Sequence, residues 1–224
     1  MPHPLSTIDA WIFDLDNTLY PARTNLFAQI DTRMGAFVSR RLGIGQVEAR
    51  RVQKEFYHAH GTTLRGLMNE HGVDPHEFLN EVHDIDMSVI APAPALVEAI
   101  ARLPGRKLIF TNADTVYAEK VLDRLGLTGA FEAIHDVHAM DYLPKPDLRS
   151  YRGLCESYAI FPECALFVED MARNLAPAKA IGMTTVWVAN GSEQGPGQFG
   201  DAIDYTITDV GDWLAGVVAE LETA

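Results

Sequence analysis

The chain has 224 residues, 47% of them hydrophobic and 22% charged, enough for one sizeable core or a core with a smaller inserted unit. Acids outnumber Lys and Arg 31 to 18, giving a formal net charge of −13. That balance argues against nucleic acid or an anionic membrane as main partner, because phosphate backbones need cations to replace their counterions.

No segment approaches the roughly 18 uninterrupted apolar residues of a membrane span. The start, MPHPLSTIDAW, lacks the basic and long apolar stretches of a signal peptide. Cys155 and Cys164 have no metal-like spacing and are expected to be two buried thiols in a reducing cytoplasm. The run IDAWIFDLD (8–16) predicts a first strand that ends on two acids, Asp14 and Asp16. Buried carboxylates need pairing, hydrogen bonds or a metal, so something must compensate them.

From about residue 22 to 90 only helical periodicity shows. NLFAQIDTRMGAFVSRRLG, GQVEARRVQKEFYHAHG, TTLRGLMNEHG and DPHEFLNEVHDI read as helices broken at glycines and at Asp-Pro. This block predicts an inserted, all-helical unit at 22–90, with 1–21 and 91–224 forming the core. Phe27, Phe37, Phe56 and Tyr57 are expected inside the insertion. Its histidines (His58, His60, His71, His76 and His83) are irregularly placed and expected at solvent or core edges.

A helix, APAPALVEAIARL (91–103), follows, and a Pro-Gly turn leads into the strand KLIFTNA (107–113). DTVYAEKVLDRLGL is a helix capped by Asp114 and stopped by Gly126. EAIHD (132–136) is a short strand, and PDLRSYRGLCESYAI a helix with Pro146 near its first position. CALFVED (164–170) is a strand, ARNLAPAKAIG a helix and MTTVWVA a strand; NGSEQGPGQFG (190–200) is a surface turn or lid edge. DYTITDVGDWLAGVVAEL supplies a last strand and an amphipathic helix. Strands alternating with helices predict an α/β, Rossmann-like fold, with a parallel sheet covered on both faces.

Ligands of such sheets bind outside the carboxyl ends of the strands. Those ends carry Asp14 and Asp16, then Thr111 and Asn112, then Lys145 in PKPD, then Glu169 and Asp170. The set suits phosphoryl transfer. Acid oxygens hold a hard Mg²⁺, one carboxylate attacks phosphorus, and a second protonates the leaving oxygen and later activates water. A lysine and a hydroxyl neutralise the group in transit.

FDLDNTLY, LIFTNA, PKPD and FVEDMARN, in that order across residues 13 to 174, resemble the four motifs of the haloacid dehalogenase superfamily. The resemblance implies Asp14 as nucleophile, Asp16 as general acid and base, Thr111 as phosphate ligand, and Lys145 binding phosphate and Asp14 together. Asn112 is expected beside the phosphate. Mg²⁺ would take Asp14, the Asp16 carbonyl and Asp170, with Glu169 direct or through water. Asn174 would orient these carboxylates or simply cap its helix. Members that dehalogenate carbon lack an acid at the position of Asp16, so its presence favours phosphate chemistry. The helical insertion resembles the α-helical cap of one subclass. DNTLYP, HAHGTTLRGL and VHDIDMSVIAP look like the pyrimidine 5′-nucleotidase branch, which makes Arg65 a candidate substrate contact. The implied enzyme is a cytoplasmic Mg²⁺-dependent phosphatase of pyrimidine nucleoside 5′-monophosphates. Alternatives are a phosphatase or mutase for a sugar phosphate or phosphoglycolate, and, from another class, a non-catalytic binding protein.

Overall fold

The computed structural model describes residues 4–192 and 195–223; of the predicted 190–200 loop, positions 193 and 194 lie outside the described residues. In chain order the elements are β1 (Ala10–Phe13), α1 (Leu26–Leu42), α2 (Gln46–His60), α3 (Thr63–His71), α4 (Pro75–Val82), α5 (Pro94–Arg102), β2 (Arg106–Phe110) and α6 (Thr115–Leu125). Then come β3 (Ala133–His135), α7 (Leu148–Tyr158), β4 (Ala165–Glu169), α8 (Ala172–Ala180), β5 (Thr184–Val188), β6 (Tyr205–Ile207) and α9 (Val210–Thr223). The six strands form one sheet in the order β3-β2-β1-β4-β5-β6, every pair parallel. This is the Rossmann-like arrangement that the strand–helix alternation predicts.

Parallel strands buried on both faces need unbroken apolar runs. Trp11, Ile12 and Phe13 of β1, Leu108 to Phe110 of β2 and Leu166 to Val168 of β4 are all buried, and they form the middle of the core. Gly105 delivers β2 to β1: its φ is +73°, and a Cβ there would sit 2.4 Å from the Asp9 carbonyl oxygen. The Arg106 N–H donates to that same oxygen at 2.8 Å. β1 ends at Phe13, just before Asp14, and β2 at Phe110, just before Thr111.

Between β1 and β2 the chain makes α1 to α4, which pack on one another: α1 against α2 and α4, and α2 against α3. Gly66 lets α3 lie flat on α2, since a Cβ there would meet the Phe56 ring at 2.4 Å. Asp114 and Gly126 cap α6 as expected. Pro146 is corrected: α7 starts at Leu148 with Asp147 as its N-cap, so Pro146 lies outside the helix, and the Lys145–Pro146 peptide is cis. The cysteines are corrected too: Cys155 and Cys164 are unpaired but only half-buried. Among the described residues no helix is long and apolar enough to cross a membrane.

His135, closing β3, is buried with no hydrogen-bond partner on either ring nitrogen, and its ring lies against Phe110 and Tyr158. Burial, against a smaller opposite pull from Asp136, holds its pKa below the usual imidazole value. Below about pH 6.5 the unfolded chain takes up a proton that the folded chain resists, so stability falls as pH drops through that window. His135→Phe keeps the ring and removes the orphaned nitrogens. It is expected to stabilise the protein by about 1 kcal/mol at neutral pH and by more near pH 5. Urea denaturation at both pH values checks this; equal stabilities at both would refute it.

Candidate active site

Parallel pairing puts the carboxyl ends of β1, β2 and β4 on one edge. Asp14 follows β1 and is fixed there by its N–H, which donates to the Val168 carbonyl at 2.9 Å. A tight turn through Asn17, at φ +58°, brings the Thr18 hydroxyl back to donate to Asp14 Oδ2 at 2.9 Å.

Lys145 reaches the same point from the loop after β3. The Asn112 side-chain amide grips its backbone from both sides: Oδ1 accepts from the Lys145 N–H at 2.8 Å, and Nδ2 donates to the Lys145 carbonyl at 3.3 Å. Lys145 Nζ, 1% exposed as a residue, donates to Asp14 Oδ1 at 2.7 Å, Glu169 Oε2 at 2.7 Å and the Phe110 carbonyl at 2.9 Å. The Phe110 and Phe167 rings flank it. All three ammonium protons are used, which is what a buried lysine requires. Glu169 is held in turn by the Met171 N–H at 3.1 Å and Asn174 Nδ2 at 3.1 Å. Asn174, expected to orient carboxylates or cap its helix, is thus in position to orient Glu169.

Asp14, Glu169 and Asp170 each place one carboxylate oxygen within 4.8 Å of the others, and all three are buried. One ammonium faces three acids, so negative charge is left over. Burial, then Glu169, pushes the Asp14 carboxyl up to about 7 despite Lys145. Burial, Glu169 and Asp14 raise Asp170 well above the carboxylate range. Burial pulls the Lys145 pKa down, but Asp14 and Glu169 outweigh it and hold the ammonium charged. An all-oxygen cluster with surplus charge fits a hard divalent cation.

Asp16 stands apart from this cluster. Its Oδ1 accepts from Tyr20 Oη at 2.5 Å and Tyr117 Oη at 2.6 Å. The buried Thr111 hydroxyl accepts from the Ala113 N–H at 3.1 Å, which leaves its own proton to donate.

These groups floor a cavity of about 390 Å³ whose other walls come from the helical insertion and from Met171, Arg173 and Ser192 of the core. Phe27 and Tyr57 line it, a correction, since both were expected inside the insertion; Phe37 and Phe56 are buried as expected. Arg65, the candidate substrate contact, is not among the residues that line this cavity, and its charge acts on Asp147. Two cations the sequence reading missed, Lys54 and Arg173, do line the cavity. The Arg173 guanidinium lies 4.2 Å from the centre of the Tyr57 ring, joining α8 to α2. Their signal was faint, since a lone lysine or arginine on a helix is ordinarily a solvated one. His83 lines the cavity as well, its Nδ1–H donating to Asp114 Oδ2 at 2.7 Å. Two larger clefts, of about 860 and 840 Å³, are lined by none of Asp14, Asp16, Glu169 and Asp170.

Comparison with known proteins agrees with this layout. The chain is 25% identical over 200 residues to phosphate metabolism protein 8 of Saccharomyces cerevisiae, covering 82% of this chain and 62% of that one. It is 34% identical over 131 residues to phosphoglycolate phosphatase of Rhodospirillum rubrum, covering 57% and 53%. The chain thus spans less than two thirds of the length of these relatives. Among solved structures, the HAD phosphatase of Thermococcus onnurineus superposes with a TM-score of 0.62 at 21% identity, over 96% of this chain and 98% of that one, a likeness of fold. A family model described as haloacid dehalogenase-like hydrolase matches residues 8–182, a span that takes in β1, the helical insertion and every acid of the cluster. The chain belongs to that family of hydrolases.

Proposed function

We propose that the chain is a Mg²⁺-dependent phosphomonoester hydrolase working through an aspartyl-phosphate on Asp14, and that its substrate is a pyrimidine nucleoside 5′-monophosphate. The observation that carries the reading is Lys145 Nζ, bonded at 2.7 Å to both Asp14 and Glu169 beside Asp170. An ion-paired carboxylate at the floor of a cavity is suited to nucleophilic attack.

Asp14 attacks phosphorus, and the bond to the leaving oxygen breaks while Asp16 gives that oxygen a proton. Asp16 then takes a proton from water, which attacks the same phosphorus and frees Asp14 and inorganic phosphate. Lys145 and Thr111 hold the phosphoryl oxygens throughout. Asp14, Asp170 and the Asp16 carbonyl would hold Mg²⁺, which when bound neutralises charge on the transferring group. Both Glu169 oxygens are already engaged, which favours a contact through water. The helical insertion acts as a cap that excludes water and bears the specificity contacts.

Support for a nucleotide comes from the upper cavity. Phe27 and Tyr57 give it aromatic walls, with Arg173 over one face of Tyr57, and about 390 Å³ suits a ligand of that size. The chemistry needs no oxidising compartment, in keeping with two unpaired cysteines and a cytoplasmic setting. Phosphate release from a panel of esters tests the reading. UMP and CMP are expected to exceed purine nucleotides, sugar phosphates and phosphoglycolate by about tenfold or more in kcat/KM, with turnover lost in chelator. Preference for phosphoglycolate or a sugar phosphate would overturn the substrate and keep the chemistry. Turnover that survives chelation would overturn the metal.

A further inference from the structure

Two tyrosines meet on a single oxygen of Asp16. Tyr20 arrives from the turn after β1 and Tyr117 from α6, and both donate to Oδ1. Their own oxygens are 3.4 Å apart, so each ring also limits where the other can go. Both are almost fully buried, which fixes their rotamers by packing. Oδ2 receives neither tyrosine, and Asp16 lines the cavity.

The Tyr117 ring is fixed from a second side by the insertion. His83, just after α4, stacks on it with ring centres 4.3 Å apart and planes 22° apart. His83 Nδ1 is bonded to Asp114 at 2.7 Å, and both side chains are 10% exposed. Asp114 also caps α6, accepting the Tyr117 N–H at 2.8 Å. One contact from the insertion therefore bears on the residue that holds Asp16.

We infer that Tyr20 and Tyr117 are positioning residues that clamp one oxygen of Asp16 so that the other faces the leaving group, and that His83 makes this clamp depend on the docked insertion. The inference rests on the reading of Asp16 as proton donor. A hydroxyl clamp costs little when it forms, because burial has already ordered the rings, and it keeps the free oxygen within reach of a bound ester.

The test compares two esters on the full-length enzyme with Mg²⁺. p-Nitrophenyl phosphate has a leaving group that departs without a proton, whereas UMP has an alkoxide that needs one. Their kcat/KM values report only steps up to departure of the leaving group, so later hydrolysis of the phosphoenzyme does not enter. Tyr117→Phe keeps the buried ring. It is expected to lose about tenfold or more on UMP, within the range of general-acid effects, and under about threefold on p-nitrophenyl phosphate. Tyr20→Phe, the second variant should Tyr117→Phe misfold, is expected to show the same split, and His83→Ala a smaller one. Equal losses on both esters, or none on either, would overturn the clamp. A His83→Ala enzyme with unaltered rates would remove the insertion from it. Wild-type enzyme that hydrolyses neither these two esters nor any other in the panel would sink the phosphatase reading itself and this inference with it.

Discussion

Asp14→Asn is expected to leave a folded protein with no measurable turnover, a loss of at least about 10⁴-fold, the scale seen when a covalent nucleophile is removed. The amide cannot attack phosphorus, yet it has the same size; its oxygen can still accept from Lys145, and its NH2 can donate to the Thr18 hydroxyl. Folding should therefore survive, because the 2.7 Å contact needs an acceptor and not a charge, and the 2.9 Å contact can reverse, with the amide N–H donating to the Thr18 oxygen. Relief of repulsion with Glu169 and Asp170 works in the same direction in metal-free protein. Phosphate release checks the loss, and a melting curve no lower than the wild type's checks the fold. Residual activity within about a hundredfold of wild type would require another nucleophile and end the aspartyl-phosphate reading.

Lys145→Met should damage activity and stability together. Lys145 sits among buried acids and is itself buried, so its removal strands Asp14 and Glu169 without a counter-charge. Breaking one side of a buried ion pair costs about 3–5 kcal/mol. Methionine fills most of the volume between Phe110 and Phe167, so cavity formation is not the main cost. If the damage is electrostatic, adding Glu169→Gln to Lys145→Met should return more than half of the lost stability and none of the activity. Denaturant titrations of the four proteins form the double-mutant cycle that checks this. A lone Lys145→Met variant as stable as wild type would show that the acids pair some other way.

The contrast between Lys145 and Arg65 shows what the sequence could carry. Lys145 was legible because PKPD follows a predicted strand of a parallel sheet, and strand ends share an edge whatever the details. Asp14, Thr111, Glu169 and Asp170 were legible for the same reason. Arg65 depended on which way a short helix faces, and α3 is held by its own packing on Phe56 through Gly66, a contact invisible in a motif. Tyr20 and Tyr117 were hidden differently. They act on one carboxylate from positions almost a hundred residues apart, and nothing in either local stretch marks them out. Asn112 shows a third case: the residue was found, but its amide holds the Lys145 backbone. Whole strands and helices survive as patterns because burial repeats along them; a wall built from single side chains of several helices does not repeat.

The position of β1 has a consequence for how the chain is made. It is synthesised before both of its neighbours, yet it lies in the middle of the sheet, with Ala10 paired to Arg106 on one side and to Ala165 on the other. As the protein leaves the ribosome, the apolar run Trp11–Ile12–Phe13 must wait for both neighbours while α1 to α4 close among themselves through contacts near in sequence. Late, long-range pairing of this kind is slow, and it leaves an unpaired strand exposed to other chains. Because the Asp14 N–H finds its acceptor only when β4 arrives, the cluster of Asp14, Glu169 and Asp170 cannot assemble in a nascent chain before Asp170 has been made.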